Sequence, residues 1–186
     1  MKPIYTLFAG VNGAGKTTLF NMQDKDLGVR VNSDEIVVAN GGDWRNPSDQ
    51  ARAMKEAVKL IKKCINDQCD FNQETTLTGK SIINNIIKAG EKGFKIKMNY
   101  IGLDNAGIAV ERVNIRVSNG GHGIAKEDIL RRYDNSLINL KEIIPLVDEL
   151  TIYDNTKDLH VVAKISGDKK EIVDANCVWL KQIFQI

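Results

Sequence analysis

Residues 10 to 17 read Gly-Val-Asn-Gly-Ala-Gly-Lys-Thr and meet the pattern G-x-x-x-x-G-K-[ST] at every fixed position. Glycines let backbone N–H groups approach phosphate oxygens closely, and a helix beginning at the lysine adds the partial positive charge of its N-terminus. Gly10, Asn12, Gly13, Ala14, Gly15 and Thr18 are therefore expected to line a triphosphate, with Lys16 bridging its terminal phosphates and Thr17 as magnesium ligand. Such a cradle holds ATP or GTP. It does not say where the phosphate goes.

Two later clusters could supply an acceptor side. Asn32-Ser33-Asp34-Glu35 follows a short apolar run, and the carboxyl end of a strand beside the nucleotide strand opens on the same crevice. Asp34 there can take a proton from an acceptor hydroxyl or hold magnesium through water; equally, Ser33 or Asp34 can cap the helix that follows. In Gln73-Glu74-Thr75-Thr76-Leu77-Thr78-Gly79-Lys80-Ser81, Glu74 and the hydroxyls suit hydrogen bonds to a polyhydroxylated ligand such as a sugar. The same Ser and Thr are also ordinary helix caps.

A third group is cationic and sits on two helical stretches joined by Asn119-Gly120-Gly121-His122-Gly123. Ala106, Ala109, Val110, Val113 and Val117 predict the core face of the first, which places Arg112 and Arg116 together on one flank at about 100° per residue. On the second, Leu130, Tyr133, Leu137, Leu140 and Ile144 predict the buried line and leave Arg131 and Arg132 exposed. Phosphoryl transfer needs positive charge on the equatorial oxygens and exclusion of water, so a glycine-hinged segment over roughly residues 106–135 reads as a lid. Arg116, beside the hinge, is the first candidate to meet phosphates and Arg132 the second. His122, neutral for much of the time at pH 7, can replace an arginine only in part.

The elements that must position these groups alternate along the whole chain. Strands are predicted at Ile4 to Ala9, Val29 to Asn32, Phe71 to Glu74, Phe94 to Leu103, Leu150 to Tyr153 and around Val161 to Ile165. Between them Ala51, Met54, Val58, Ile61 and Ile65 mark one packing helix, Ile82, Ile83, Ile86 and Ile87 another, and a last helix is expected around Val173 to Ile183. The pattern is that of an α/β, three-layer P-loop NTPase fold with a mainly parallel sheet of five or six strands and a helical lid. With no linker, repeat or low-complexity tract, 186 residues are expected to form a single domain over 1–186.

Composition narrows the function classes. Twenty-six Lys and Arg against 24 Asp and Glu leave a net charge of +2, far from the basic surface that non-specific nucleic-acid binding requires. Cys64, Cys69 and Cys177 lack metal-type spacing and read as small buried hydrophobes in a reducing compartment. No run approaches the ~18 apolar residues of a membrane span, and Ile4 to Ala9 is too short for a signal-peptide core, so the cytoplasm is the expected location. A GTP-hydrolysing switch competes through Asp104-Asn105-Ala106-Gly107, but Asn155-Thr156-Lys157-Asp158 has its lysine one place late for a guanine reader. An ATP-hydrolysing switch and a non-catalytic nucleotide-binding module also fit a phosphate-binding loop taken by itself.

In their order, residues 10–18, Asn-Ser-Asp-Glu at 32–35, Glu-Thr-Thr-Leu-Thr-Gly at 74–79, Gly-Gly-His-Gly-Ile-Ala-Lys-Glu-Asp-Ile-Leu-Arg-Arg-Tyr at 120–133 and Tyr-Asp-Asn-Thr at 153–156 resemble the zeta-toxin family of P-loop kinases. The resemblance covers roughly residues 4–156. It implies transfer of the ATP γ-phosphate to a hydroxyl of an amino-sugar nucleotide such as UDP-N-acetylglucosamine, with Mg²⁺, Asp34 as base, and Glu74 and Thr76 as acceptor-binding pair. Asn32 and Thr78 fall on the same acceptor side, and Arg112, Arg131 and His122 on the ATP side. The sequence departs from the family at Thr78, where characterised toxins carry an arginine, and at His122, where they carry one of two lid arginines. The resemblance leaves room for an antitoxin partner, although no feature of the sequence calls for one.

Overall fold

Tyr5, Leu7, Phe8 and Ala9 have no solvent exposure in the computed structural model, which describes residues 2–184. A strand apolar on both faces has to lie centrally in a covered sheet, and β1 (Ile4–Ala9) does so. The chain continues through α1 (Lys16–Asn21), β2 (Val29–Val31), α2 (Ser33–Ala39), α3 (Pro47–Asp67), β3 (Phe71–Thr75), α4 (Lys80–Glu91) and β4 (Lys95–Gly102). It closes with α5 (Ala106–Ser118), α6 (Lys126–Ile143), β5 (Glu149–Asp154), β6 (His160–Ser166), β7 (Lys169–Ile172) and α7 (Val178–Phe184).

The sheet has seven strands in the order β2-β3-β1-β4-β5-β6-β7, parallel from β2 to β5 and antiparallel beyond. Alternate β1 side chains enter two clusters. Tyr5, Leu7 and Ala9 join Ile61, Ile86, Leu140 and Trp179, while Phe8 joins Leu19, Ala109, Val113 and Ile129. This is the α/β, three-layer arrangement expected, with the direction of strand order reversing at β1 and a crevice opening at its carboxyl end.

The structure adds β7 to the five or six strands expected. Lys169-Lys170-Glu171-Ile172 lacks an apolar signal because an outer edge strand buries little, and its charges are what keeps such an edge from pairing with other chains. The final helix starts at Val178, not Val173, since residues 173–177 form a turn after β7.

Three predicted helix faces also shift. On α3, Met54 is 62% and Val58 46% exposed; the first half of this helix packs on the short α2, and the buried line runs through Ala53, Ile61, Cys64 and Ile65. On α5, Ala109 and Val113 are buried but Val117 is exposed near the helix end. On α6 the buried residues are Ile129, Ser136, Leu140 and Ile143, while Leu130 is exposed. That rotation puts Arg132, three after Ile129 and four before Ser136, on the inward line instead of in solvent.

Candidate functional site

The cradle is the turn from β1 into α1. Gly15 has φ 102°, and a Cβ there would lie 2.6 Å from Asn155 Nδ2, so both backbone and neighbour demand glycine. The Asn155 amide donates to the Ala14 carbonyl at 2.8 Å and props the loop from the end of β5. Lys16 folds back across the turn and donates to the carbonyls of Gly10 at 3.0 Å and Val11 at 3.1 Å. Its stem is partly exposed but its ammonium lies inside the loop. Burial therefore pushes its pKa down to about 8, against the opposing charges of Glu74 and Asp34.

Asp34 and Glu74 reach this ammonium from two strand ends. Asn32, at the end of β2, caps α2 by accepting from the N–H groups of Asp34 at 2.9 Å and Glu35 at 3.5 Å. The cap is thus Asn32, not Ser33 or Asp34, and the Asp34 carboxylate is left exposed toward Lys16 and His122, on both of which its charge acts. Glu74, at the end of β3, accepts from the Thr17 hydroxyl at 3.1 Å. Thr17 with Glu74 behind it fits a hydrated divalent cation, because a ligating hydroxyl needs an acceptor for its proton. No cluster of three His, Cys, Asp or Glu side chains offers another such site among the described residues.

The link from β3 to α4 is strained. Leu77 is fully buried at φ 60°, an unusual conformation for a non-glycine residue. Its N–H donates to Thr75 Oγ1 at 3.0 Å and its carbonyl accepts from Asn139 at 2.7 Å. The turn sets the Thr76 and Thr78 hydroxyls 2.9 Å apart. Neither caps α4, whose N-cap is Gly79 without any side-chain bond.

From the other side come α5 and α6. Gly120 ends α5 at φ 83°, and the Gly121 N–H returns to the Arg116 carbonyl at 2.9 Å. A Cβ on Gly121 would lie 2.6 Å from Arg116 Cγ, so the glycine makes room for the arginine stem. Nε and Nη2 of Arg116 and Nδ1 of His122 are buried with no protein partner. Burial, followed by the nearby Arg116 and Arg132 charges, holds His122 below its ordinary pKa despite Asp34. Arg132 donates to Asn12 Oδ1 at 3.0 Å and ties α6 to the cradle.

The structure thus gathers Asn12, Lys16, Thr17, Asp34, Glu74, Arg116, Arg132 and His122 around one crevice. Arg131 lies elsewhere, exposed and paired with Asp128 at 2.5 Å, and Arg112 donates to the Thr156 carbonyl at 3.3 Å. Thr18 is exposed on α1, and Asn32 is committed to its cap. Two residues of the rival switch motifs have structural roles: Asn105 caps α5, and Asn155 holds the loop.

Sequence reasoning missed three participants. Arg30 on β2 binds both Glu35 and Glu74; burial opposes its charge, but those two carboxylates outweigh burial and raise its pKa. Glu35 is overshadowed in the sequence by its neighbour Asp34. Trp44, in the α2–α3 loop, packs edge-on against His122 with ring centroids 4.8 Å apart. A lone half-exposed tryptophan in a polar loop is the signal that could have found it; nothing in Val-Arg-Val singles out Arg30.

No protein-family model matches the chain. A chain of the PezAT chromosomal toxin-antitoxin system of Streptococcus pneumoniae superposes with TM-score 0.69 and 17% identity, over 98% of this chain and 78% of that one. A chain of the AvrRxo1-ORF1:-ORF2 structure with ATP superposes with TM-score 0.72 and 14% identity, over 97% of this chain and 63% of that one. The fold is that of the zeta-toxin-like P-loop kinases. The chain belongs to one family with an uncharacterized protein of Haemophilus influenzae, to which it is 33% identical over 126 residues, 68% of this chain and 89% of the relative.

Proposed function

We propose that the protein is an ATP-dependent phosphotransferase that moves the γ-phosphate to a hydroxyl of a small acceptor, sugar-nucleotide in character, with UDP-N-acetylglucosamine the first candidate. The observation that carries this reading is the pair of buried, unpartnered groups on the lid, Arg116 and His122. Leaving such groups dry is costly unless a ligand meets them, the Arg116 guanidinium calls for an anion, and Lys16, Thr17 and Asp34 face the same space. A simple phosphate-binding turn needs neither a lid nor a carboxylate opposite it.

In the proposed reaction Lys16 leaves the Gly10 and Val11 carbonyls for the terminal phosphates. Thr17, backed by Glu74, would hold magnesium, which neutralises charge on the β- and γ-phosphates. Asp34 accepts the acceptor's hydroxyl proton at its carboxylate as the oxygen attacks the γ-phosphorus, whose bond to the β–γ bridging oxygen breaks so that ADP leaves with that electron pair. Arg116 and Arg132 stabilise charge on the transferring group, and the segment around 106–135 keeps water out. Thr76 and Thr78 offer paired hydroxyls to the acceptor. No helix among the described residues is long and apolar enough to cross a membrane.

The test is ADP release over a panel of sugar nucleotides, nucleosides and no acceptor, for wild type and Asp34→Asn. Acceptor-dependent release that falls about 10²- to 10⁴-fold in the variant, the range of general-base catalysis, is expected. Equal turnover by both proteins would remove Asp34 from the mechanism, and release indifferent to every acceptor would make the protein a hydrolase.

A further inference from the structure

Arg30 stands at the middle of β2, one strand beyond β3 and two from the cradle, and every part of its guanidinium is engaged. Nη1 donates to Asn72 Oδ1 at 3.1 Å, Nε to both Glu35 oxygens at 3.2 Å, and Nη2 to Glu35 Oε1 at 2.8 Å and also to Glu74 Oε1. Its plane lies 3.6 Å over the Phe20 ring of α1. The arginine and Glu74 side chains are only 17% and 10% exposed, so the pair is largely dehydrated and each partner depends on the other.

Glu74 has two oxygens, and both are taken. Oε1 goes to Arg30 and Oε2 to the Thr17 hydroxyl. A hydroxyl that gives its proton to a carboxylate turns its lone pairs the opposite way, which for Thr17 is the direction from which a phosphate-bound cation approaches. The family resemblance assigns Glu74 to the acceptor. The hydrogen bonds place it on the nucleotide side.

We infer that Arg30 is a positioning residue: by holding Glu74 against Thr17 it orients the Thr17 hydroxyl toward the metal of a metal–nucleotide complex. The inference rests on the proposed nucleotide site. It extends to the base side as well, because Glu35 anchors the same guanidinium to the first turn of α2, next to Asp34. One half-buried cation thereby spans the metal side and the proton-accepting side of the crevice.

Calorimetric binding of ATP to the full chain, with magnesium and with magnesium chelated, separates this from a structural role. Outer-shell partners are worth about 10- to 100-fold in metal affinity, so Arg30→Met is expected to cut the magnesium enhancement of ATP affinity by about tenfold. Metal-free ATP affinity and acceptor KM should each stay within about twofold. Arg30→Lys, which reaches one carboxylate but not two, should recover part of the loss. Glu74→Gln should reproduce it, and Arg30→Met should add nothing further in that background. These two variants carry the test if Arg30→Met does not fold.

A well-folded Arg30→Met with the wild-type magnesium enhancement would overturn the inference. So would losses that add in the double variant, or an effect confined to acceptor KM. In each case the proposed function would stand. Wild-type protein that binds no ATP with or without magnesium would sink both.

Discussion

Lys16 shows a cost built into a single side chain. Its ammonium is held at about 8 by burial, below the ordinary lysine value of 10.5, so the folded protein carries a charge that its surroundings disfavour. Between those two values the unfolded chain binds more protons than the folded one, and wild-type stability must rise with pH across that window. Lys16→Met is therefore expected to melt higher than wild type at pH 7. The advantage should shrink from pH 8 to 10.5, while ATP affinity falls about 10- to 100-fold for want of the charged contact. Melting curves from pH 6 to 10.5 and one binding isotherm check both halves. A variant less stable at pH 7 would mean that the Gly10 and Val11 hydrogen bonds outweigh the burial. The cradle is fully legible in the sequence because its chemistry lies within eight consecutive residues. Arg30 is not, because its meaning lies in Glu35 and Glu74, five and 44 positions away.

Helices and loops decide which arginines count. The apolar spacing of α6 predicts both of its arginines in solvent, yet the helix turns Arg132 inward to Asn12 and leaves Arg131 on Asp128. An apolar stripe cannot predict this, since an arginine on the inward line is invisible to a count of hydrophobic positions. The glycine-rich joint is legible as Asn-Gly-Gly-His-Gly, but the need for glycine at 121 emerges only from the clash a Cβ there would make with Arg116. Gly121→Ala should displace the guanidinium by a fraction of an ångström to an ångström. Phosphoryl transfer should then slow by up to about 100-fold with little change in melting temperature. Trp44, seated against His122, supplies an optical check: its fluorescence should change in the variant and on adding MgATP to wild type. Full activity in Gly121→Ala would detach Arg116 from the reaction.

The far end of the chain supports the cradle through one buried carboxylate. Asp154 accepts from Trp179 Nε1 at 2.7 Å and from the Thr156 hydroxyl at 2.7 Å, beside the Asn155 that props Ala14. Trp179 also fills the space over Gly102, where a Cβ would meet the indole at 2.1 Å. Trp179→Phe removes a donor from Asp154 and some packing, at about 2–3 kcal/mol. In a chain of this size that lowers the melting temperature by roughly 4–12 °C. Saturating MgATP should widen the gap to wild type, because a variant whose loop is held less firmly binds the nucleotide more weakly and gains less from it. A deficit untouched by saturating MgATP would show that α7 steadies the core without reaching the nucleotide. The sequence offers no role for the last thirty residues, since a tryptophan gives no hint of the carboxylate it will meet.

Local sequence by itself determined what is local: the phosphate-binding turn, the alternation of strands and helices, and the glycine-rich joint between α5 and α6. Each follows from short-range rules of backbone freedom and apolar spacing. Only the tertiary structure decided which charges share a crevice. It turned Asp34 outward from its cap, took Arg131 away, brought Arg132 in, and enclosed Glu74 between Arg30 and Thr17. The physical reason is that a charge acts over a few ångströms of space whatever its separation along the chain.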